Sequence, residues 1–375
     1  MSRWSRTLRP SVTDLGGYRP GVSGDEIKKR FGLRHVTRLN WNENLFGPLP
    51  GVLEETADAL DLAWTYPEDS YDEFRTAAAG WIGADPAQVI PGHGIQALTI
   101  AVVSAFIEPG DAVVIPSPTY GLYAQVCRGA GAVVHRVQSG PALAIDLEAV
   151  LAMARHANAK LAWICDPNNP TGLRIDPALW SAFVEGLPAG CVAVVDEAYV
   201  DYVDPSERVD RLADIAQEAP VIVLRTFSKI FGLAGLRLGY AIVHESLAPH
   251  VNAVHEPFNV NRAALAAGLA SLKRVQLLPE RRDQVHCARE ALVAPLESTG
   301  MKVLPSDANF VLIELGIDDQ AVFDALAEQG LIVRPGSELG LPGYVRVTTG
   351  AEDLMHTVGT RIAEVAEAAL LRCRQ

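Results

Sequence analysis

Lys229 stands in the run Val221-Ile222-Val223-Leu224-Arg225-Thr226-Phe227-Ser228-Lys229-Ile230-Phe231-Gly232, with Arg237 a few residues on. A lysine just past a strand of buried apolar residues is either a solvated loop residue or an amine held for chemistry. Flanking Phe227 and Phe231 would lower its hydration, and desolvation moves a lysine toward nucleophilic reactivity. Thr226, Ser228 and Arg237 supply two hydroxyls and a guanidinium fork, donors that suit a phosphate. An amine able to form a Schiff base beside a phosphate site is what pyridoxal phosphate requires.

Other stretches carry the matching groups. Val192-Ala193-Val194-Val195-Asp196 is a second apolar strand that ends in a carboxylate. Asp196 is placed to pair with a protonated ring nitrogen, the partner that makes this cofactor an electron sink. Tyr199, three residues on, can donate to its phenolate oxygen, and Asn169 in the turn Pro167-Asn168-Asn169-Pro170-Thr171-Gly172 can present an amide to the same atom. Taken singly, Asp196 also reads as a strand-end cap and Asn169 as a turn former. Val89-Ile90-Pro91-Gly92-His93-Gly94-Ile95-Gln96 reads as a strand, a glycine turn and a helix start, where the backbone N–H groups of Gly94, Ile95 and Gln96 can meet phosphate oxygens. Tyr120, at the exit of the strand Asp111–Pro116, can lie against a pyridine face. Tyr123, one helical turn on, reads equally well as packing.

Positioning these groups takes a particular scaffold. Strands over 113–115, 132–137, 161–165, 192–195, 221–224 and 239–243, separated by helical or long connections, predict an α/β fold with a largely parallel sheet. Ligands of such sheets sit at the carboxyl ends of the strands, where Tyr120, Asn169, Asp196 and Lys229 all fall. Ser70 followed by Glu73 predicts a capped helix over 70–81. Past Tyr240 the pattern changes to long helices and then to strands near 301–304, 310–315, 332–333 and 344–348. A smaller α+β domain is expected from residues 281–375 with an N-terminal arm, residues 1–45, around a large domain of residues 46–280. Arg334 and Arg346 flank its last sheet, and Arg346 suits bidentate capture of an anion.

The sequence resembles the fold type I pyridoxal-phosphate aminotransferases, and within them the histidinol-phosphate branch. The marks are Tyr18-Arg19-Pro20-Gly21, Asn40-Trp41-Asn42-Glu43-Asn44, Tyr66-Pro67, Pro118-Thr119-Tyr120, the Pro-Asn-Asn-Pro-Thr-Gly turn, Asp196-Glu197-Ala198-Tyr199, the lysine segment, Phe258-Asn259-Val260-Asn261 and Val345-Arg346-Val347-Thr348-Thr349-Gly350. The resemblance implies a mainly parallel seven-stranded sheet in the large domain and a homodimer with shared active sites. In that dimer Tyr66 reaches the partner's cofactor phosphate. It also implies that Tyr120 stacks on the cofactor ring, that Tyr18 and Asn44 lie near the substrate, and that the Arg334 and Arg346 region takes the substrate anion. Transamination between histidinol phosphate and 2-oxoglutarate is the implied reaction. An aminotransferase for an aromatic or specialised amino acid, a decarboxylase of the threonine-phosphate type, and a catalytically dead binding protein are the alternatives. Ile95 and Gln96 depart from the usual residues of the histidinol-phosphate branch.

Composition narrows the classes. Acidic residues outnumber basic ones, 45 to 32, for a formal charge of -13, which opposes nucleic-acid binding. The apolar fraction of 49% supports a large core, yet no run is long enough for a membrane span. The five cysteines have neither metal-ligand nor disulfide-framework spacing; no metal is expected, and the cytoplasm is the expected compartment. Gly92-His93-Gly94 lacks the third glycine of a dinucleotide fingerprint, with Ala97 in its place, so a dehydrogenase is a weak rival. His93 reads as incidental.

Overall fold

In the computed structural model, residues 7–13, 15–17, 20–140 and 142–373 are described. Among the described residues thirteen strands run, in chain order, β1 (Thr37–Arg38), β2 (Val89–Gly92), β3 (Ala112–Ser117), β4 (Val133–Gln138), β5 (Leu161–Cys165), β6 (Val192–Asp196), β7 (Val221–Thr226), β8 (Gly239–Ile242), β9 (Lys302–Val303), β10 (Phe310–Glu314), β11 (Leu331–Ile332), β12 (Arg334–Pro335) and β13 (Tyr344–Thr348). Seven of them form one sheet in the order β2-β8-β7-β6-β5-β3-β4. β3, β4, β5, β6 and β7 are mutually parallel, and β8 runs against both of its neighbours. This is the mainly parallel seven-stranded sheet of an α/β fold.

The central strands are apolar along most of their length because both faces are covered. Ala193 and Val195 of β6, with Val221 and Val223 of β7, enter one core, whereas Val194, Ile222 and Leu224 enter the core on the opposite face. The helix Gly94–Phe106 covers the second face with Leu98, Val102 and Val103. Phe183 and the helix Arg262–Leu272 belong to the first. Each such large side chain removed from water contributes about 1.5–3 kcal/mol, so the strand ends rest on a rigid platform.

A second sheet, β12-β13-β10-β9, is antiparallel, and β1 pairs in parallel with β11. The N-terminal segment therefore joins the C-terminal one through Thr37↔Leu331 and Arg38↔Ile332. The helix Leu278–Glu297 contributes Leu278 and Val285 to the first core and Ala288, Leu292 and Leu296 to the core under the second sheet. The boundary expected at residue 280 falls inside this helix.

Two expectations need correction, and one helix is additional. The capped start at Ser70 does not form: the helix begins at Asp72, and Tyr71 precedes it in the left-handed region at φ 50° without a side-chain cap. Tertiary bonds set that turn instead, because the Tyr71 hydroxyl lies 3.3 Å from Asn259 Oδ1 and accepts the Val260 N–H. The arm also contains a helix, Gly24–Phe31, capped by the Ser23 hydroxyl on the Glu26 N–H. Finally, Phe227 and Phe231 do not wall in the lysine amine. Their rings stack on each other at 4.6 Å inside the first core, where they anchor the turn from below.

Candidate active site

A cleft of 740 Å³ opens at the carboxyl ends of the parallel strands. β3 delivers Tyr120, β5 delivers Asn169, β6 delivers Asp196 and Tyr199, and β7 delivers Thr226, Ser228 and Lys229, all of which line it. Arg237 reaches the same edge because β8 runs backward and Gly239, its first residue, pairs with Thr226. The register also sets Gly239 opposite Gly92, which places the start of the helix Gly94–Phe106 beside Arg237. Ile95 and Gln96 line the cleft there.

That end of the cleft is built for an anion. Ser228 N–H donates to the Thr226 hydroxyl at 3.1 Å, and the two hydroxyl oxygens are 3.0 Å apart. Gly94 has φ +73°, and a Cβ there would come within 2.6 Å of Arg237 Nη2. The left-handed backbone favours glycine at this position, and the absent side chain leaves the guanidinium room beside the helix's first N–H groups. One strand over, Asp196 is buried, with Oδ1 accepting the Ala198 N–H at 3.0 Å and Oδ2 accepting the Tyr123 hydroxyl at 2.5 Å. A phosphate cradle, an amine and a buried carboxylate on adjacent strand ends form a donor set that fits pyridoxal phosphate.

Lys229 Nζ donates to the Asn42 carbonyl at 2.8 Å and lies 5.3 Å from the centre of the Tyr199 ring. Burial, with repulsion from Arg346 added, pulls this amine down to about 7, against the attraction of Asp196. Asp196 is pushed up to about 6 by burial, while the Tyr123 and Ala198 bonds and the Lys229 charge work to lower it. The Tyr199 hydroxyl accepts from Asn42 Nδ2 at 3.0 Å and from Asn169 Nδ2 at 3.5 Å. Asn169 in turn accepts from Arg346 Nη1 at 2.5 Å, and Arg346 Nη2 donates to the Asn40 carbonyl at 2.7 Å.

Arg334 and Arg346 lie directly opposite each other on β12 and β13, both buried and both on the cleft wall. Like charges in register repel. Glu338 pairs with Arg334 at 3.1 Å and relieves part of that charge. Gly21, from the N-terminal turn, packs against Arg334: at φ +90°, its Cβ would fall 1.6 Å from Nη1.

Among the expected residues, Gly94, Asn44 and Tyr66 are absent from the lining of this cleft. Tyr18 lies outside the described residues. Asn44 is not on the cleft wall; its amide donates to the Ile230 carbonyl at 2.9 Å and its Oδ1 accepts the Phe46 N–H at 3.1 Å, so it braces the lysine turn. Tyr66 faces outward, 76% exposed and stacked on Phe258 at 4.7 Å. His93 is exposed and off the wall. Sequence reasoning overlooked Asn42, which serves both Lys229 and Tyr199 from a left-handed conformation at φ 55°. It also overlooked the bond from Tyr123 to Asp196.

Beneath the cleft, Arg211 bridges Asp166 Oδ2 at 2.5 Å and Glu197 Oε1 at 2.6 Å, and Arg225 Nε bonds Glu197 Oε2 at 2.8 Å. The cluster ties together the ends of β5, β6 and β7. Among the described residues no group of side chains could hold a metal ion, and no helix is long and apolar enough to cross a membrane. Cys127, Cys165 and Cys191 are buried free thiols.

A cleft of this composition at the switch from strand to loop defines an aminotransferase of the pyridoxal-phosphate class, and sequence comparison agrees: the class I and II aminotransferase family matches residues 34–362. The chain belongs to that family, which sets aside the dehydrogenase reading. More particularly, it is 33% identical to the histidinol-phosphate aminotransferase of Brevibacillus brevis over 94% of this chain and 96% of that one. With the same enzyme from Geobacillus sp. it is 34% identical, over 92% and 94%. The crystal structure of histidinol-phosphate aminotransferase from Sinorhizobium meliloti in complex with pyridoxal-5'-phosphate superposes with a TM-score of 0.88 at 27% identity, covering 98% of this chain and 99% of that chain.

Proposed function

We propose that this chain transfers the amino group of histidinol phosphate to 2-oxoglutarate, with pyridoxal phosphate on Lys229. The observation that carries the reading is the meeting of a partly neutral lysine amine and a buried carboxylate in one cleft, Lys229 and Asp196, beside the Gly94–Arg237 cradle. The names of the relatives support the substrate. When bound, the cofactor supplies an electron sink for the charge left on the substrate carbon.

The side chains have separate tasks. Backbone N–H groups of Gly94, Ile95 and Gln96, the hydroxyls of Thr226 and Ser228, and Arg237 hold the phosphate. Asp196 would hold a proton at the ring nitrogen, Tyr199 and Asn169 would donate to the phenolate oxygen, and Tyr120 would cover the ring face. Lys229 Nζ, once free, takes the proton from the substrate carbon and returns it. Its proton affinity near neutrality suits both directions of that transfer. The buried pair Arg334 and Arg346 on the cleft wall would face the substrate phosphate, whose charge would relieve their mutual repulsion. We take residues 46–280 as the cofactor domain and the arm plus residues 281–375 as the substrate-side domain.

A stopped-flow panel of amine half-reactions, followed at the cofactor band, tests the substrate. Histidinol phosphate should react with a higher second-order rate constant than histidinol, histidine, phenylalanine or glutamate. Equal or faster reaction of the unphosphorylated aromatic amines excludes the phosphate substrate. Carbon dioxide released from threonine phosphate would favour the decarboxylase.

The apolar surface around Tyr66 supports a homodimer. Leu60, Trp64, Tyr66 and Phe258 are 60%, 82%, 76% and 42% exposed, a grouping that a monomer rarely leaves in water. We place Tyr66 at the neighbouring chain's cofactor phosphate and the dimer in the cytoplasm. Mixed dimers of Tyr66→Phe and Lys229→Ala chains should regain one fully functional site each. An active species that sediments as a monomer rules the arrangement out.

A further inference from the structure

Asp196 is gripped from behind by a residue that does not line the cleft. The Tyr123 hydroxyl donates to Oδ2 at 2.5 Å, with both side chains buried. Its ring cannot swing away, because it stacks on Trp163 at 4.7 Å with an interplanar angle of 11° and meets Tyr120 edge-on at 5.4 Å. Burial, reinforced by the Asp196 charge, raises the Tyr123 phenol well above its ordinary value. The phenol therefore stays protonated and remains a donor. Oδ1 is fixed independently by the Ala198 N–H. With one donor on each oxygen, the carboxylate plane is set and its remaining lone pairs are left for the cleft.

We propose that Tyr123 is a positioning residue: its hydroxyl orients Asp196 and holds it as an anion, so that the carboxylate meets the ring nitrogen of pyridoxal phosphate already aligned. The inference rests on the assignment of Asp196 to that nitrogen. Without the hydroxyl, one oxygen of a buried carboxylate loses a charge-assisted bond, and the side chain is free to turn or to take up a proton.

The test separates orientation from general support of the fold. The full-length chain, freed of cofactor, is titrated with pyridoxal phosphate and with a deaza analogue in which a C–H replaces the ring nitrogen. Wild type should prefer the natural cofactor. Tyr123→Phe keeps the ring stacking, and it should bind pyridoxal phosphate about tenfold more weakly while the analogue changes by less than about twofold. Tyr123→His, which retains an N–H donor, should recover much of the lost preference. Equal losses for both ligands in Tyr123→Phe would make Tyr123 a scaffold residue and overturn the proposal, as would no loss at all. If wild type itself shows no preference for the natural cofactor, the Asp196 assignment fails and the inference falls with it.

Discussion

Lys229→Ala is expected to abolish turnover and the absorbance band of the lysine-linked cofactor while leaving the fold largely intact. The substitution removes the amine that donates to the Asn42 carbonyl, whereas the core beneath the turn is held by Phe227 and Phe231, both untouched. Borohydride reduction followed by peptide mapping should place the cofactor on Lys229 in the wild type; an adduct on any other lysine defeats the assignment. The amine also has a pH signature. Its proton affinity is lowered to about 7 by burial and Arg346, so below that pH it is charged and unreactive and above it neutral. Competitive labelling of the cofactor-free chain should therefore reach half-maximal modification of Lys229 near pH 7. A midpoint in the ordinary lysine range would show that the amine is not desolvated.

Asp196→Asn should cost several orders of magnitude in rate and at least about tenfold in affinity for pyridoxal phosphate, with the phosphate cradle still able to hold the cofactor at saturation. An asparagine can keep its carbonyl oxygen toward either the Tyr123 hydroxyl or the Ala198 N–H, so the strand end should hold its shape. What it lacks is the negative charge that keeps a proton on the ring nitrogen. Steady-state kinetics with the best amine decides the matter. A loss below about tenfold, roughly 1.4 kcal/mol of barrier, would remove Asp196 from that role.

The parts of the site that were legible in the sequence are those whose chemistry and backbone context are local. Lys229 and Asp196 each follow an apolar strand directly, and parallel pairing of β6 with β7 then brings them together without further information. Gly94 was legible as part of a glycine turn, although its neighbour Arg237 lies 143 positions later and is brought there by the antiparallel return of β8. The register of Arg334 against Arg346 depends on pairing between β12 and β13 and could not be counted from spacing. Asn42 was visible only as one amide in a polar cluster; its left-handed backbone follows from tertiary bonds, including its N–H to Thr348 Oγ1 at 3.0 Å. Tyr123 looked like packing because packing is most of what its ring does. The bond to Asp196 spans 73 positions. Ser70 and Glu73 show the reverse error, a good local signal displaced by the Tyr71 contacts to Asn259 and Val260.

The ionic cluster under the cleft has a bearing on what a titration of the cofactor-free chain reports. Burial alone would raise Glu197, but Arg225 and Arg211 hold it below the usual carboxylate range. Burial works to lower Arg211 and Arg225, yet their acidic partners hold both above the usual arginine range. These three groups therefore keep their charges through the neutral range in which Lys229 and Asp196 exchange protons. The foundation is electrically silent while the groups standing on it titrate. In the cofactor-free chain, a titration step between pH 6 and 7 then reports the two residues facing the cleft, not a loosening of the strands that carry them.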